Sequence, residues 1–389
     1  MKDLSRRFVT TEDFARAARR KLPRIFADYI DGGSFSETTL RRNREGFDRY
    51  MLRQRVLRPL GPADLTTPLG RGTAALPFGP GPVGFMGLYH RDGDICVHRA
   101  ATDAGLPCVI STFSINGLAT MRAAAGQVPD FQLYLDRDPQ VNADYLAQCR
   151  ATGVKRIFLT VDTAITSVRE RDVRNGFRSV SRITPALFAQ FAARPAWSLS
   201  LLRGGFPQVE MVADRPEFGR GALAQAGNLS SRLDIDLTWD KVRQLRQDWD
   251  GELIIKGISD PEDAAQAAEE GLDGIVLSNH GGRQLDHGPA TITRLRAVRA
   301  ALGPDRMLFI DGGFRRGSDI VKAIALGADF VLMGRPFAWA VAAAGEAGVA
   351  HLIRLLAAET AITLQLMGLT SIAALKQAGP EILLRAEDL

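Results

Sequence analysis

The chain has 389 residues, 46% of them hydrophobic and 24% charged, which supplies a large core and excludes an intrinsically disordered composition. Lys and Arg number 49 against 44 acidic residues, and the formal charge of +5 is spread along the chain, so no nucleic-acid partner is indicated. Cys96, Cys108 and Cys149 are the only cysteines, an odd number without a Cys-x-x-Cys spacing, which argues against a disulfide framework or zinc site and fits a reducing cytoplasm.

In chain order, Met1–Arg20 carries charge throughout and does not read as a secretory signal. Residues 1–70 read as a helical cap, with Thr10 and Thr11 ahead of a helix over Glu12–Arg20 and a second helix near Leu22–Ile30. The long uncharged stretches Gly72–His90 and Ala104–Met121 are broken by Pro77, Pro80, Pro82 and Pro107, which argues against a membrane span. From residue 79 onward short apolar runs alternate with amphipathic stretches. The runs are Gly79–Gly84, Pro107–Ser111, Phe131–Leu135, Ile157–Asp162, Leu253–Gly257, Gly274–Ser278, Met307–Asp311 and Phe330–Met333. Helical patterns such as Asp260–Glu270 and Gly317–Leu326 follow most of them. Strands alternating with helices predict parallel βαβ units, and eight such units over about 250 residues predict an α/β fold of the closed (β/α)8 TIM-barrel kind. The whole chain, 1–389, reads as one domain.

Residues 178–236 are too many for one connection and read as an insertion after the fourth strand, a lid or binding loop. Within it Ile183–Val209 mixes Phe188, Phe191, Trp197, Leu199 and Phe206 with Arg194 and Arg203. Two readings stand: an interfacial segment lying on a membrane, or a mobile lid on the barrel.

The chemistry of such a barrel sits where its strands end. The residues closing the runs are Pro82-Val83-Gly84, Ser111, Gln132 with Tyr134, Thr160 with Asp162, Lys256, Ser278 with His280, Asp311-Gly312-Gly313, and Gly334-Arg335. One polar strand end is unremarkable; eight together predict a site. Gly312, Gly313 and Arg315 after the seventh strand, and Gly334 and Arg335 after the eighth, give backbone N–H groups and forked cations to a phosphate. The alternative is tight turns with surface arginines. His280, ahead of Gly281-Gly282, stands on an exposed turn as a candidate base, and Arg283 can grip a carboxylate. No pair among the five histidines has metal-ligand spacing, so no metal site is expected.

Ser278–Asp286, Asp311–Gly317, Phe131–Tyr134, Leu159–Thr163 and Lys256-Gly257, with Asp28–Gly33 and Thr39–Asn43 in the cap, resemble the FMN-dependent L-2-hydroxy acid oxidase/dehydrogenase family. That family includes glycolate oxidase, L-lactate dehydrogenase and mandelate dehydrogenase, and the bacterial lactate and mandelate enzymes are the most similar. The resemblance implies FMN as cofactor and oxidation of a small 2-hydroxy acid to the 2-oxo acid. A quinone or oxygen would be the electron acceptor, and the assembly a homotetramer. The enzyme would be cytoplasmic, or peripheral on the inner face of the membrane through 183–209. It makes His280 the base acting on the α-carbon or the hydroxyl, and Asp162 its orienting carboxylate. Arg169 and Arg283 become the carboxylate clamp, with Tyr29 and Tyr134 on the substrate. Pro82, Val83, Gly84, Ser111, Gln132, Thr160, Lys256 and Ser278 would hold the flavin, and Asp311, Gly312, Gly313, Arg315, Gly334 and Arg335 its ribityl and phosphate end.

The bland alternatives are an Asp162–Arg169 surface pair, a packing role for Tyr29 and a snorkelling Lys256. Phe113, Ala164 and Gly84 stand where family members often carry tryptophan, proline and, in oxidases, alanine. The first two bear on substrate size and the third leans toward an acceptor other than oxygen. Two further functional readings are a flavoenzyme of this family acting on a larger or peptide-derived substrate, and a non-catalytic barrel binding a phosphorylated ligand.

Overall fold

Thr10 opens the first helix. Its hydroxyl accepts the Asp13 N–H while the Asp13 carboxylate accepts the Thr10 N–H, a capping box that starts α1 (Thr11–Lys21) close to its predicted position. α2 (Arg24–Asp31) and α3 (Thr38–Glu45) complete the cap. The first turn of α3 is capped from across the molecule: Asp286 accepts the Thr39 N–H at 2.8 Å and the Ser36 hydroxyl at 2.7 Å. The computed structural model describes residues 4–177, 184–203 and 207–386.

The barrel strands are β1 (Phe78–Pro80), β2 (Val109–Ser111), β3 (Asp130–Leu133), β4 (Arg156–Thr160), β5 (Glu252–Ile258), β6 (Gly274–Leu277), β7 (Met307–Ile310) and β8 (Phe330–Met333). Each overlaps a predicted run. They pair in parallel in the order β1-β8-β7-β6-β5-β4-β3-β2, the sequence of a ring. β1 and β2 approach without ladder bonds, so closely that a Cβ on Gly79 would stand 2.9 Å from the Pro107 carbonyl oxygen. The predicted (β/α)8 barrel is therefore the fold.

Strand periodicity places the polar ends. Val109, Phe158, Ile254, Val276 and Phe309 belong to one buried cluster with Phe330 and Leu332. Ser111, Thr160, Lys256, Ser278 and Asp311 lie two residues further along the same strands or just past them, on the same side. The apolar layer thus carries a polar layer above it. A bulge at Gly257, where the β5–β6 register shifts and φ is +112°, interrupts β5 directly after Lys256.

The opposite mouth is plugged by a hairpin, Thr67–Leu69 with Gly72–Ala74. Arg156 holds it there. Its guanidinium meets Glu252 at 2.6 Å and Asp130 at 3.2 Å, while Glu252 also accepts the Arg71 N–H at 3.1 Å in the hairpin turn.

The insertion is more ordered than a loop. It contains α4 (Pro185–Ala192), α5 (Pro195–Leu202) and α6 (Ala222–Ser231). α4 and α5 rest on the cap: Phe26, Phe191 and Trp197 form an aromatic cluster, and Gln190 accepts the Ile25 N–H. Ile183 and Phe206 of the predicted apolar segment lie outside the described residues. One described helix, α7 (Arg335–Leu366), has the length and apolarity to cross a membrane. It is kinked at Ala344–Gly345 and buries Phe337, Val349, Leu352 and Leu356 in the core.

Arg156→Met should leave Glu252 and Asp130 buried without their cation, at a cost of about 3–5 kcal/mol. An unchanged urea midpoint would show instead that apolar contacts alone seat the hairpin.

Candidate active site at the C-terminal face

The polar layer faces a cavity of about 1340 Å³, mouth included. It receives every candidate site residue except Asp162 and Ser278, which stand behind His280 and Lys256; Ala164, expected near the substrate, does not line it, whereas Phe113 does.

β6 ends at Leu277, and the chain then turns sharply through His280 (φ +55°), Gly281 and Gly282. A left-handed conformation is costly for a histidine. Here the His280 N–H is tied to the Ser278 hydroxyl at 3.0 Å. The ring Nδ1 lies 3.0 Å from Asp162 Oδ1, so Nδ1 carries the donated hydrogen and Nε2 is left as the acceptor. Burial pushes the His280 pKa below its ordinary value, Asp162 pulls it up, and Lys256 and Arg169 add to the lowering. The net shift is downward, which keeps the imidazole neutral near pH 7 and able to take a proton. Burial alone would raise Asp162, but His280 and Lys256 outweigh it and hold the carboxylate below its usual range.

Lys256 is buried, with Nζ 3.2 Å from the Ser278 hydroxyl and 3.4 Å from Asp311. Burial disfavours its charge, yet Asp311 and Asp162 prevail and its pKa is raised. It does not snorkel. The Asp162–Arg169 pair is not formed either; Asp162 serves His280, and Arg169 stands 3.7 Å from the buried Asp172.

The cavity is rich in cations. Arg169, Arg283, Arg315 and Arg335 line it with Lys256, and Asp311 is the one lining carboxylate among the described residues. Burial, then the neighbouring Arg44, pushes Arg315 down to about 10; burial with Arg283 and Arg315 depresses Arg335. Such a cluster calls for an anion. Arg315 lies over the Trp339 ring at 4.6 Å. Arg335, expected only on a phosphate, also serves the cap, donating to the carbonyls of Ile30, Gly281 and Gly32 at 2.9 Å each. Arg283 donates to the Tyr29 and Gly32 carbonyls at 2.6 and 2.9 Å. Tyr29 lines the cavity and also packs, stacking on Phe177 at 4.1 Å.

Two lining groups have no partner among the described residues. Gln132 Nε2 and Thr160 Oγ1 are fully buried and unpaired, although Gln132 Oε1 accepts the Ser111 hydroxyl at 2.8 Å. Gly313 is a forced choice: φ is +87°, and a Cβ would stand 2.0 Å from the Asn43 carbonyl oxygen. Gly84 is similarly constrained, since a Cβ would stand 2.8 Å from the Phe113 Cβ.

Sequence reasoning missed several residues. Asn43 and Asn279 exchange reciprocal amide bonds at 2.8 Å and tie α3 to the His280 turn. Phe85 and Phe177 wall the cavity beside Tyr29, and Ala226, Ser230 and Leu233 bring the insertion to it. Gln284, also lining, was visible beside Arg283 but carried no chemical signal of its own.

The family described as FMN-dependent dehydrogenase matches residues 18–381. An L-lactate dehydrogenase of Caulobacter vibrioides is 39% identical over 371 residues, 95% of this chain and 96% of that one. An L-lactate dehydrogenase of Pseudomonas aeruginosa is 39% identical, over 92% of this chain and 94% of that one. Among solved structures, the monotopic membrane protein (S)-mandelate dehydrogenase superposes with a TM-score of 0.90 at 34% identity, covering 97% of this chain and 99% of that one. A mandelate oxidase with (S)-4-hydroxymandelic acid gives 0.82 at 36% identity, over 95% and 98%.

Asp162→Asn should lower the His280 pKa by about 1 pH unit or more, because the neighbouring negative charge that favours the imidazolium is gone. A ring titration by NMR that matches the wild type would remove Asp162 from that role.

Proposed function

Because the chain belongs to the FMN-dependent dehydrogenase family and is an FMN-dependent oxidoreductase of 2-hydroxy acids, we propose that it oxidises an L-2-hydroxy acid held between Arg169 and Arg283. The observation that carries this reading is the His280–Asp162 pair set beside two arginines in one cavity. The residues present suit FMN. Gln132 Nε2 and Thr160 Oγ1 are buried groups in need of partners, as the polar edge of a flavin would be. Gly312, Gly313 and Gly334 with Arg315 and Arg335 offer backbone and guanidinium donors to its phosphate. When bound, FMN supplies the acceptor for the two electrons that the substrate loses.

The protein's own residues do the rest. Arg169 and Arg283 hold the substrate carboxylate and so orient its α-carbon. His280 Nε2 takes one of the two protons released as the hydroxy acid becomes the oxo acid, and Asp162 stabilises the imidazolium that results. Tyr134 donates to the substrate hydroxyl region; burial holds its phenol pKa above the ordinary value, so it stays protonated. Lys256, kept cationic, favours negative charge beside it.

The test is anaerobic mixing of the flavin-loaded protein with L-lactate, L-mandelate and longer L-2-hydroxy acids. One or more should bleach the flavin band near about 450 nm, and His280→Ala should slow that bleaching ~10²–10⁴-fold or more while retaining flavin. Bleaching of the variant at the wild-type rate would overturn the role of His280, and no bleaching by any acid would overturn the substrate class.

The electron acceptor in this reading is a quinone reached at a membrane surface. Phe188 is 65% and Leu199 50% exposed on α4 and α5, and the structural neighbour is itself described as a monotopic membrane protein. The full-length protein should co-sediment with anionic vesicles at low salt through these helices, and Phe188→Glu with Leu199→Glu should release it. Absence of wild-type binding would leave α4 and α5 as a covering for the cap.

A further inference from the structure

Gln284 reaches from the His280 turn back to the loop after β4. It is 7% exposed, and its Nε2 donates to the carbonyls of Asp162 at 2.6 Å and Ile165 at 2.9 Å. Those bonds identify the nitrogen end of the amide, because the reversed amide would set Oε1 against two carbonyl oxygens. They also close the turn that begins at Asp162.

Asp162 needs such a hold. Its Oδ1 meets His280, but its Oδ2 is buried without a partner among the described residues. Side-chain bonding therefore leaves its aim underdetermined, and the backbone must supply the remainder. On one side that backbone is packed on the β5 bulge, where a Cβ on Gly257 would stand 2.7 Å from the Asp162 Cβ. On the other it hangs from Gln284. One loop thus grips the other twice: His280 takes the Asp162 carboxylate and, four residues on, Gln284 takes its carbonyl.

We propose that Gln284 is a positioning residue, which fixes the Asp162 backbone so that the carboxylate stays within hydrogen-bonding distance of His280 Nδ1. The catalytic consequence rests on His280 being the base, whereas the geometric claim does not. The charged groups facing His280 are Asp162 from the β4 loop, Lys256 from β5 and Arg169 from beyond the same loop. Of these, Gln284 acts on Asp162 alone.

Gln284→Met keeps the length of the side chain and removes both donors. In the flavin-loaded variant the His280 pKa, followed by NMR on labelled histidine, should fall toward that of Asp162→Asn. The acidic limb of kcat against pH, which rises as His280 loses its proton, should move to lower pH with it. The kcat plateau should drop about tenfold or more with KM within about twofold, the scale of lost support behind a functional side chain. Introduced into Asp162→Asn, Gln284→Met should add almost nothing, since both act through one contact. An unmoved His280 pKa, or losses that add in the double variant, would overturn the proposal. Gln284→Leu replaces Met if that variant does not retain flavin, with the same outcomes read. The titration requires no turnover, so failure of every hydroxy acid to bleach the flavin would sink the substrate reading and leave this inference to its own result.

Discussion

Arg169, Arg283, Arg315 and Arg335 share one cavity with Lys256, and few carboxylates stand among them. Removing each cation from water costs roughly several kcal/mol, and the fold meets that cost with backbone oxygen. The carbonyls of Tyr29, Ile30 and Gly32, at the C-terminal end of α2, accept from Arg283 and Arg335. A helix C-terminus has unsatisfied carbonyls and a negative dipole end, so two arginines suit it. The cap is accordingly part of the electrostatics of the site, and Tyr29 enters the cavity as a result. The charge that remains uncompensated suits the cavity to anionic ligands.

The barrel and the strand-end part of the candidate site's lining were legible in the sequence because both follow from local periodicity, whereas Tyr29 and Arg169 came only from the family resemblance. A strand of period two that ends in a polar residue announces both its inner face and its mouth. His280-Gly281-Gly282-Arg283 was legible for the same reason, since a tight turn and its side chains are neighbours in the chain. What escaped lies far apart in sequence. Asn43 and Asn279 are separated by 236 residues and Arg335 and Ile30 by 305, and no spacing rule reaches that distance. Gln284 escaped for another reason: an amide is chemically silent until its partners are known. The helices of the insertion were a different omission, because Thr184 before Pro185, a side-chain cap ahead of an N1 proline, was a local signal within reach.

The insertion joins the cap to the cavity. α4 and α5 pack on α2 through Phe191 and Trp197, while α6 turns Ala226 and Ser230 toward the site. The cavity is therefore walled by two elements that lie outside the eight-fold repeat, the cap and the insertion. Phe113, in edge contact with both Phe85 and Tyr134, and the small side chains of α6 set the shape of the cavity wall. Phe113 also explains Gly84, which has no room for a methyl group whatever the electron acceptor.

The long-range seam between cap and barrel has a consequence for synthesis. The cap emerges from the ribosome before the barrel, yet Gly281, Arg283, Gly313 and Arg335, which receive it, are made much later. α1 buries Phe14, Ala15 and Ala18, and α7, another late element, packs over the same core. Ring closure has the same timing, since β1 pairs with β8 through Phe78 and Val331. For most of translation the nascent chain must carry an unmated apolar helix and an open barrel edge, a state that invites chaperone attention. The arginine-lined cavity is complete only when the last strand pairs with the first and brings Gly334 and Arg335 to it, so its charge is assembled late in folding as well as late in synthesis.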